Sequence, residues 1–105
     1  MAEHIFHLAL RRDWEEARSL GEYRVSTLGR ALAEEGFVHT SFAHQVDGVR
    51  AAFYADVAEP VVLLEIDPAM LGSPVVVEVP DEGAEAFPHV YGPIPVSCVV
   101  AVRPA

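Results

Sequence analysis

Gly36-Phe37-Val38-His39-Thr40-Ser41 is the stretch around which we expect the rest of this 105-residue chain to be organised. Side chains two positions apart on a strand lie on the same face, so an extended conformation brings Phe37, His39 and Ser41 together. The segment would then present an imidazole and a hydroxyl side by side, next to an aromatic ring. That pattern indicates a binding or catalytic site.

A second segment, Phe87-Pro88-His89-Val90-Tyr91-Gly92-Pro93, repeats the arrangement near the C-terminus. His89 and Tyr91 share a face if the chain is extended, and the prolines keep the segment out of a regular helix. Each of these residues taken alone has a simple structural interpretation. Two such segments in so short a chain favour a site, which requires the two segments to meet in space.

The charge balance excludes several classes of partner. Sixteen Asp and Glu residues against seven Arg and no Lys give a formal net charge of −9. Nucleic acids and anionic membrane surfaces are bound through clusters of basic side chains, so we expect neither as a partner. A small-molecule ligand remains, either neutral or cationic, or anionic if a local arginine holds it.

Length and composition predict one cytoplasmic domain over residues 1–105. A chain of this length suits one core and leaves little room for a second. No apolar run approaches the roughly 20 residues that span a bilayer, and the first residues do not resemble a signal peptide. The single Cys98 cannot form an internal disulfide, which fits a reducing compartment. None of these observations predicts the oligomeric state.

Alternating and helical patterns predict an α+β fold. Residues 4–10 alternate as a first strand, and a helix follows with Asp13 as its N-cap, Trp14 in the core and Gly21 at its C-terminal end. Further strands are predicted from Gly36 onward and over residues 61–67, 75–79 and 96–102, with a polar loop over 80–86. A second helix is predicted after Ser41, with Val46, Val49 and Phe53 as its apolar positions. The expected architecture is a mixed or mostly antiparallel sheet of about five strands, with two or three helices packed on it.

The pattern between the first helix and the first histidine segment is ambiguous. Ser26 or Thr27 is placed to cap a short helix with Leu28 and Leu32 facing inward. Arg30 lies in this region as well. It is either a solvated surface residue or the group that holds an anionic part of a ligand.

Three more polar residues fall near the expected site. Ser41 is placed to cap the helix that follows it, and Gln45 lies about one turn into that helix, so both converge with His39 at the junction. Glu78 is the one acidic residue among the valines of its strand. It either faces water or points into a cleft where its pKa can be tuned.

Four kinds of chemistry compete for these residues. In an acid–base site, His39 and His89 exchange protons, Glu78 orients them or accepts a proton, and Tyr91 and Ser41 donate hydrogen bonds to a developing oxyanion. A metal site is less favoured because the histidines lack the short spacings of zinc ligands, and no metal is predicted. A serine or cysteine nucleophile is also disfavoured, because Ser41 does not lie in a Gly-x-Ser-x-Gly turn. The fourth interpretation is purely structural.

At these residues the sequence resembles a family of small, mostly bacterial proteins called the domain of unknown function 952 family. The resemblance covers nearly the whole chain. Its most distinctive parts are the Gly-Phe-x-His-x-Ser string of residues 36–41 and the Phe-Pro-His-x-Tyr-Gly-Pro string of residues 87–93.

The resemblance implies a fold distantly similar to that of ADP-ribosyltransferases. Those enzymes bind NAD in a cleft with a histidine, a hydroxyl-bearing residue and often a glutamate, each from a different strand. By position, His39 or His7, Ser41 or Tyr91, and Glu78 would take those parts. NAD is therefore a possible ligand by fold analogy only.

The sequence thus predicts an enzyme that uses acid–base or electrostatic catalysis on a small metabolite or an NAD-type ligand. The alternatives are an acid–base isomerase, lyase or cyclase that does not use NAD, and a ligand- or protein-binding module without catalytic activity. The predicted catalytic residues are His39, Glu78, His89 and Tyr91, and the predicted ligand-binding residues are His7, Arg30, Ser41, Gln45 and Gly92.

Overall fold

The computed structural model describes residues 3–27, 30–79 and 85–105. Helices and antiparallel sheets confirm the predicted α+β class. The described strands number eleven rather than about five, because turns and prolines divide the extended segments into short pieces. In chain order they are β1 (Ile5–Leu10), β2 (Glu22–Tyr23), β3 (Val25–Thr27), β4 (Arg30–Ala31), β5 (Val38–His39), β6 (Ser41–Phe42), β7 (Val61–Ile66), β8 (Val75–Glu78), β9 (Phe87–Val90), β10 (Ile94–Pro95) and β11 (Val99–Pro104). The α-helices are α1 (Arg11–Leu20), α2 (Leu32–Glu35) and α3 (Val46–Phe53).

The strands form two principal antiparallel sheets. The larger has the order β11-β7-β1-β6, and β1 pairs with β7 over six residues, from Ile5 opposite Ile66 to Leu10 opposite Val61. The smaller has the order β5-β9-β8. Two short pairs, β10 with β2 and β3 with β4, complete the described pairings. The core lies chiefly around β1, β7 and β9, where Leu64, Ile66 and Val90 are fully buried.

Helix α1 follows β1 without a loop. Gly21 ends it as predicted, with a φ of 92° that glycine adopts at no steric cost, and Trp14 is buried in the core. The predicted N-cap was wrong. Leu10 occupies the N-cap position and no side chain caps the helix, because the strand runs directly into it and leaves Asp13 inside the first turn.

The predicted short helix with Ser26 or Thr27 as its cap was also wrong. Residues 25–27 are strand β3, and helix α2 begins only at Leu32. Ala31 occupies the N-cap position, and its backbone N–H donates to Glu34 Oε1 at 3.1 Å. Leu28 lies outside the described residues, as do residues 80–84 of the predicted loop.

The first histidine segment connects the two principal sheets. Its first half, β5, pairs with β9 in the smaller sheet, and its second half, β6, pairs with β1 in the larger one. Thr40 lies between them, and both its backbone N–H (3.2 Å) and its hydroxyl (2.6 Å) donate to the carbonyl oxygen of Pro88. These two hydrogen bonds hold the two histidine segments next to each other.

The C-terminal strand begins later than predicted. Residues 96–98 form a 3-10 turn, and the strand starts at Val99. Cys98 is buried within that turn, which agrees with its predicted place in the core. In the part of the chain that is described, no helix is long and apolar enough to cross a membrane.

Candidate functional site

A cavity of about 300 Å³ lies beside the first histidine segment. Helices α2 and α3 and strands β1, β3, β4, β5, β6 and β9 all contribute residues to its walls. Its lining is mostly apolar and rich in aromatic rings, which come from Phe6, Phe37, Phe53, Tyr54 and Phe87. Cavities of this size and composition bind small molecules.

The side chains that were predicted to share a face of the first segment do share it. Phe37, His39 and Ser41 all line the cavity. Val38 and Thr40 point the other way and are fully buried. The alternation of a strand therefore holds across the junction between β5 and β6.

The second histidine segment meets the first one, because β9 lies between β5 and β8. In this sheet His39 is opposite His89, and His89 is in turn opposite Val76 of β8. Residues that are about 50 positions apart along the chain thereby come into contact.

Four predicted site residues form one hydrogen-bonded row. The hydroxyl of Tyr91 donates a hydrogen bond to Glu78 Oε1. The same oxygen lies 2.9 Å from His89 Nδ1, and His89 Nε2 lies 3.3 Å from His39 Nδ1. The row begins at the exposed Tyr91, continues through the half-buried Glu78 and the buried His89, and ends at His39 on the cavity wall.

The chemistry of the row determines its tautomers when both imidazoles are neutral. A carboxylate only accepts hydrogen bonds, so His89 carries its proton on Nδ1 and has a lone pair on Nε2. That lone pair accepts the Nδ1–H of His39, which leaves a lone pair on Nε2 of His39. Among the described residues, this nitrogen has no hydrogen-bond partner.

Burial and mutual contact shift the pKa values along the row. Burial, and after it the electrostatic interaction with the neighbouring His89 ring, lowers the pKa of His39 to about 4, so its imidazole is neutral at pH 7. The hydrogen bonds from Tyr91 and then from His89 lower the pKa of Glu78. The same bond to Glu78 raises the pKa of Tyr91. Glu78 is thus ionised and His39 is uncharged under ordinary conditions.

Aromatic contacts hold the histidines of the row in place. The Phe37 ring stacks on His89 with 4.1 Å between ring centroids and an angle of 15°. Phe87 lies against His39 at 5.1 Å. The aromatic residue near the start of each histidine segment therefore packs against the imidazole of the other segment. Phe37 also contacts Tyr91.

His7 lines the same cavity, but both of its ring nitrogens are already engaged. Nδ1–H donates to the backbone carbonyl of His39 at 2.6 Å, and Nε2 accepts the hydroxyl of Tyr23 at 2.9 Å. Burial lowers the pKa of His7 to about 4 and raises that of Tyr23. His7 is therefore a neutral, fixed support for the His39 backbone.

Arg30 also lines the cavity, and Glu35 holds its guanidinium at 2.7 Å. The hydrogen bond from Arg30 to Glu35 raises the pKa of the guanidinium. Both charges lie at the exposed rim. The pair cancels there, so Arg30 does not present an unpaired positive charge to a ligand.

Two predicted ligand-binding residues lie outside the cavity lining. Gln45 Oε1 accepts the backbone N–H of Phe42, and its Nε2 donates to the carbonyl of Ala86, so both ends of its amide bind backbone groups. The prediction that Ser41 caps this turn was wrong, because Phe42 occupies the N-cap position. Gly92 packs so tightly on Ser73 that a Cβ atom would overlap the serine side chain.

Ser26 is a cavity residue that the sequence analysis did not assign to the site. Its side chain is 1% exposed and lines the cavity, and its hydroxyl makes no hydrogen bond with the described residues. The sequence of residues 25–27 gave no signal for this role, because a serine next to a threonine is equally typical of a helix cap and of a strand.

The described residues contain no group of three His, Cys, Asp or Glu side chains arranged to hold a metal ion. Nor do the described cavity residues offer an unpaired cation for a phosphate group, because Glu35 neutralises Arg30.

Comparison with known proteins gives a family and a fold. Residues 8–102 match the family model described as "Protein of unknown function (DUF952)". The crystal structure of protein CC0527 from Caulobacter crescentus is similar, with a TM-score of 0.81 and 28% sequence identity over 96% of this chain and 84% of that one. The solution NMR structure of the same protein gives a TM-score of 0.74 and 28% identity over 94% and 81% of the two chains. No curated protein matches.

The implied likeness to ADP-ribosyltransferases gains no support from these comparisons and stays a prediction. The match to the family model spans nearly the whole chain, and the chain therefore belongs to the DUF952 family of proteins of unknown function.

Proposed function

We propose that this protein is an enzyme that uses general acid–base catalysis on a small, uncharged metabolite bound in the aromatic cavity. One observation carries the proposal: the row from Glu78 through His89 to His39 ends at the cavity with a lone pair on His39 Nε2. A carboxylate that orients one imidazole against another is an arrangement suited to moving a proton.

The direction of proton movement follows from the tautomers. His39 Nε2 takes a proton from the substrate, and the Nδ1 proton of His39 passes to Nε2 of His89. The positive charge then lies on His89, next to the ionised Glu78, while the substrate retains the electron pair as an anion. Return of the proton to a different substrate atom gives isomerisation. In an elimination, the electron pair of the anion forms a double bond, and the leaving group departs with its own bonding pair and takes up the proton from the histidines.

The row also accounts for how a histidine with a low pKa can act as a base. Burial makes a charge on His39 unfavourable. Transfer of the charge to His89 places it at 2.9 Å from a carboxylate oxygen instead. Tyr91 contacts Glu78 rather than the cavity, so we assign it the role of positioning that carboxylate.

The version of the proposal without NAD is the better supported one. NAD carries a diphosphate, and Arg30, which lines the cavity, is paired with Glu35. We also place the protein in a reducing, cytoplasmic setting, since Cys98 is free and buried. The second candidate is a binding module without turnover, which the mostly apolar lining of the cavity favours.

Proton exchange tests the proposal without knowledge of the substrate. Short-chain enolisable ketones and hydroxyketones in D2O exchange their α-protons faster when a positioned base is present, and NMR measures the rate. His39→Asn retains an N–H donor toward His89 but has no basic nitrogen. We expect wild-type protein to accelerate exchange and His39→Asn to lose about 100-fold or more of that acceleration.

Two further variants separate the row from the rest of the fold. Glu78→Gln removes the charge but retains the shape, and we expect a smaller loss in rate with little change in melting temperature. His44→Asn is the matched control, since His44 is exposed and, among the described residues, its ring stacks on Phe42 alone. Retention of the wild-type rate in His39→Asn would refute the proposal. Ligand-induced stabilisation with no exchange of any probe would favour the binding module.

A further inference from the structure

We propose that the ligand of this cavity is an uncharged, planar ring compound and that the Ser26 hydroxyl binds its polar group. The inference rests on the proposed function only for the location of the site, not for the reaction. It names a ligand class and adds a binding residue to those considered above.

Ser26 supplies the first argument. Its hydroxyl is buried at 1% exposure and has no hydrogen-bond partner among the described residues. Buried polar side chains without a partner are rare in native proteins and lower stability. Because Ser26 lines the cavity, a molecule bound there can supply the missing partner.

The aromatic lining supplies the second argument. Rings on β1, on β9, on α3 and in the segment before β5 surround the cavity, through Phe6, Phe87, Phe53 and Phe37. Aromatic side chains pack favourably against flat rings in offset or edge-to-face contacts. A dry cavity of about 150 Å³ holds one benzene molecule, so the cavity here, at about 300 Å³, has room for one or two fused rings.

Charge supplies the third argument. Arg30 and Glu35 neutralise each other at the rim. The two histidines on the wall, His7 and His39, are uncharged at pH 7 because burial holds the pKa of each at about 4. A charged ligand would lose its hydration without gaining an opposite charge, which is costly.

Binding of simple probes tests the inference. The probes are benzamide and indole as uncharged planar compounds, benzoate and benzylamine as charged ones, and cyclohexanecarboxamide as a ring that is not planar. NMR titration at pH 7 gives the dissociation constant of each. We expect benzamide or indole to bind with shifts at cavity residues, and the charged and non-planar probes to bind at least about 10-fold more weakly.

Ser26→Ala removes the hydroxyl with almost no change in volume. We expect it to weaken benzamide binding about 5- to 10-fold, the effect of one hydrogen bond, and to leave the melting temperature unchanged or higher. Ser19→Ala, at an exposed position of helix α1, is the matched control and should bind as wild type does.

Several results overturn the inference. These are equal benzamide affinity in Ser26→Ala and wild type, tighter binding of a charged or non-planar probe, or no binding of benzamide and indole at millimolar concentration. If the ring compounds do not bind as expected but His39-dependent proton exchange is observed, the proposed function still stands. Ring binding that depends on Ser26, without any exchange activity, supports the inference and counts against the proposed reaction.

Discussion

Acidification should destabilise this protein through His7, and the structure indicates by how much. His7 is 3% exposed, and its two nitrogens serve the His39 carbonyl and the Tyr23 hydroxyl. Protonation would place a buried charge there and would remove the lone pair that accepts from Tyr23. The pKa of His7 is accordingly lowered from 6.5 to about 4.

The sign and size follow from proton linkage. Between pH 6.5 and pH 4 the unfolded chain binds a proton at His7 that the folded protein does not, so the free energy of unfolding falls as the pH falls through this window. At about 1.4 kcal/mol for each unit of pKa, the whole effect is about 3 kcal/mol, of which about 2 kcal/mol falls between pH 7 and pH 5. His39 acts in the same direction, because its pKa is also lowered to about 4.

Urea unfolding at pH 7, 6 and 5 measures this directly, with the fluorescence of the single, buried Trp14 as the signal. In His7→Asn the amide N–H can still donate to the His39 carbonyl, but the residue does not titrate. We expect the loss in free energy of unfolding from pH 7 to pH 5 to be about 2 kcal/mol smaller in this variant than in wild type. His44→Asn, which removes an exposed histidine, is the control and should retain the wild-type slope. If the loss in free energy of unfolding from pH 7 to pH 5 is the same in wild type and His7→Asn to within about 0.5 kcal/mol, the reasoning is refuted.

Two further predictions concern stability and are read out by the same urea unfolding at pH 7. Tyr23→Phe should lower the free energy of unfolding by about 1–3 kcal/mol, because it leaves the buried Nε2 of His7 without a donor, and a change below about 0.5 kcal/mol would contradict that role. Gly92→Ala should cost about 1–3 kcal/mol, since the new methyl group overlaps Ser73. Gly48→Ala, in the open on helix α3, should instead add about 0.5–1 kcal/mol, and an equal effect of the two alanines would contradict the packing argument.

Much of the candidate site was predictable because its spacing follows the geometry of a strand. Two-residue alternation places His39 with Ser41 on the cavity wall. It also predicts that His89 and Tyr91 share a face, and both side chains contact Glu78. The sequence does not reveal what each side chain binds. The side chain of Gln45 binds the backbone of Phe42 and Ala86, which depends on where the chain turns.

Ser26 and the role of His7 were beyond sequence reasoning for a different reason. The partners of His7 are Tyr23, 16 positions away, and His39, 32 positions away. Ser26 matters because its hydroxyl lacks a partner, and no local pattern records which groups remain unpaired after folding.

The amino-acid sequence by itself determined the features that depend on neighbouring residues. These are the α+β class, the strand before α1, the glycine that ends that helix, the buried Trp14 and the shared face of His39 and Ser41. Periodicity and the conformational freedom of Gly21 act within a few residues, so they can be read directly from the chain. The tertiary structure alone decided that β9 pairs with β5 and so joins the two histidines into one row. That pairing closes a loop of about 50 residues, and its free energy comes from burial and backbone hydrogen bonding across the whole sheet rather than from either segment.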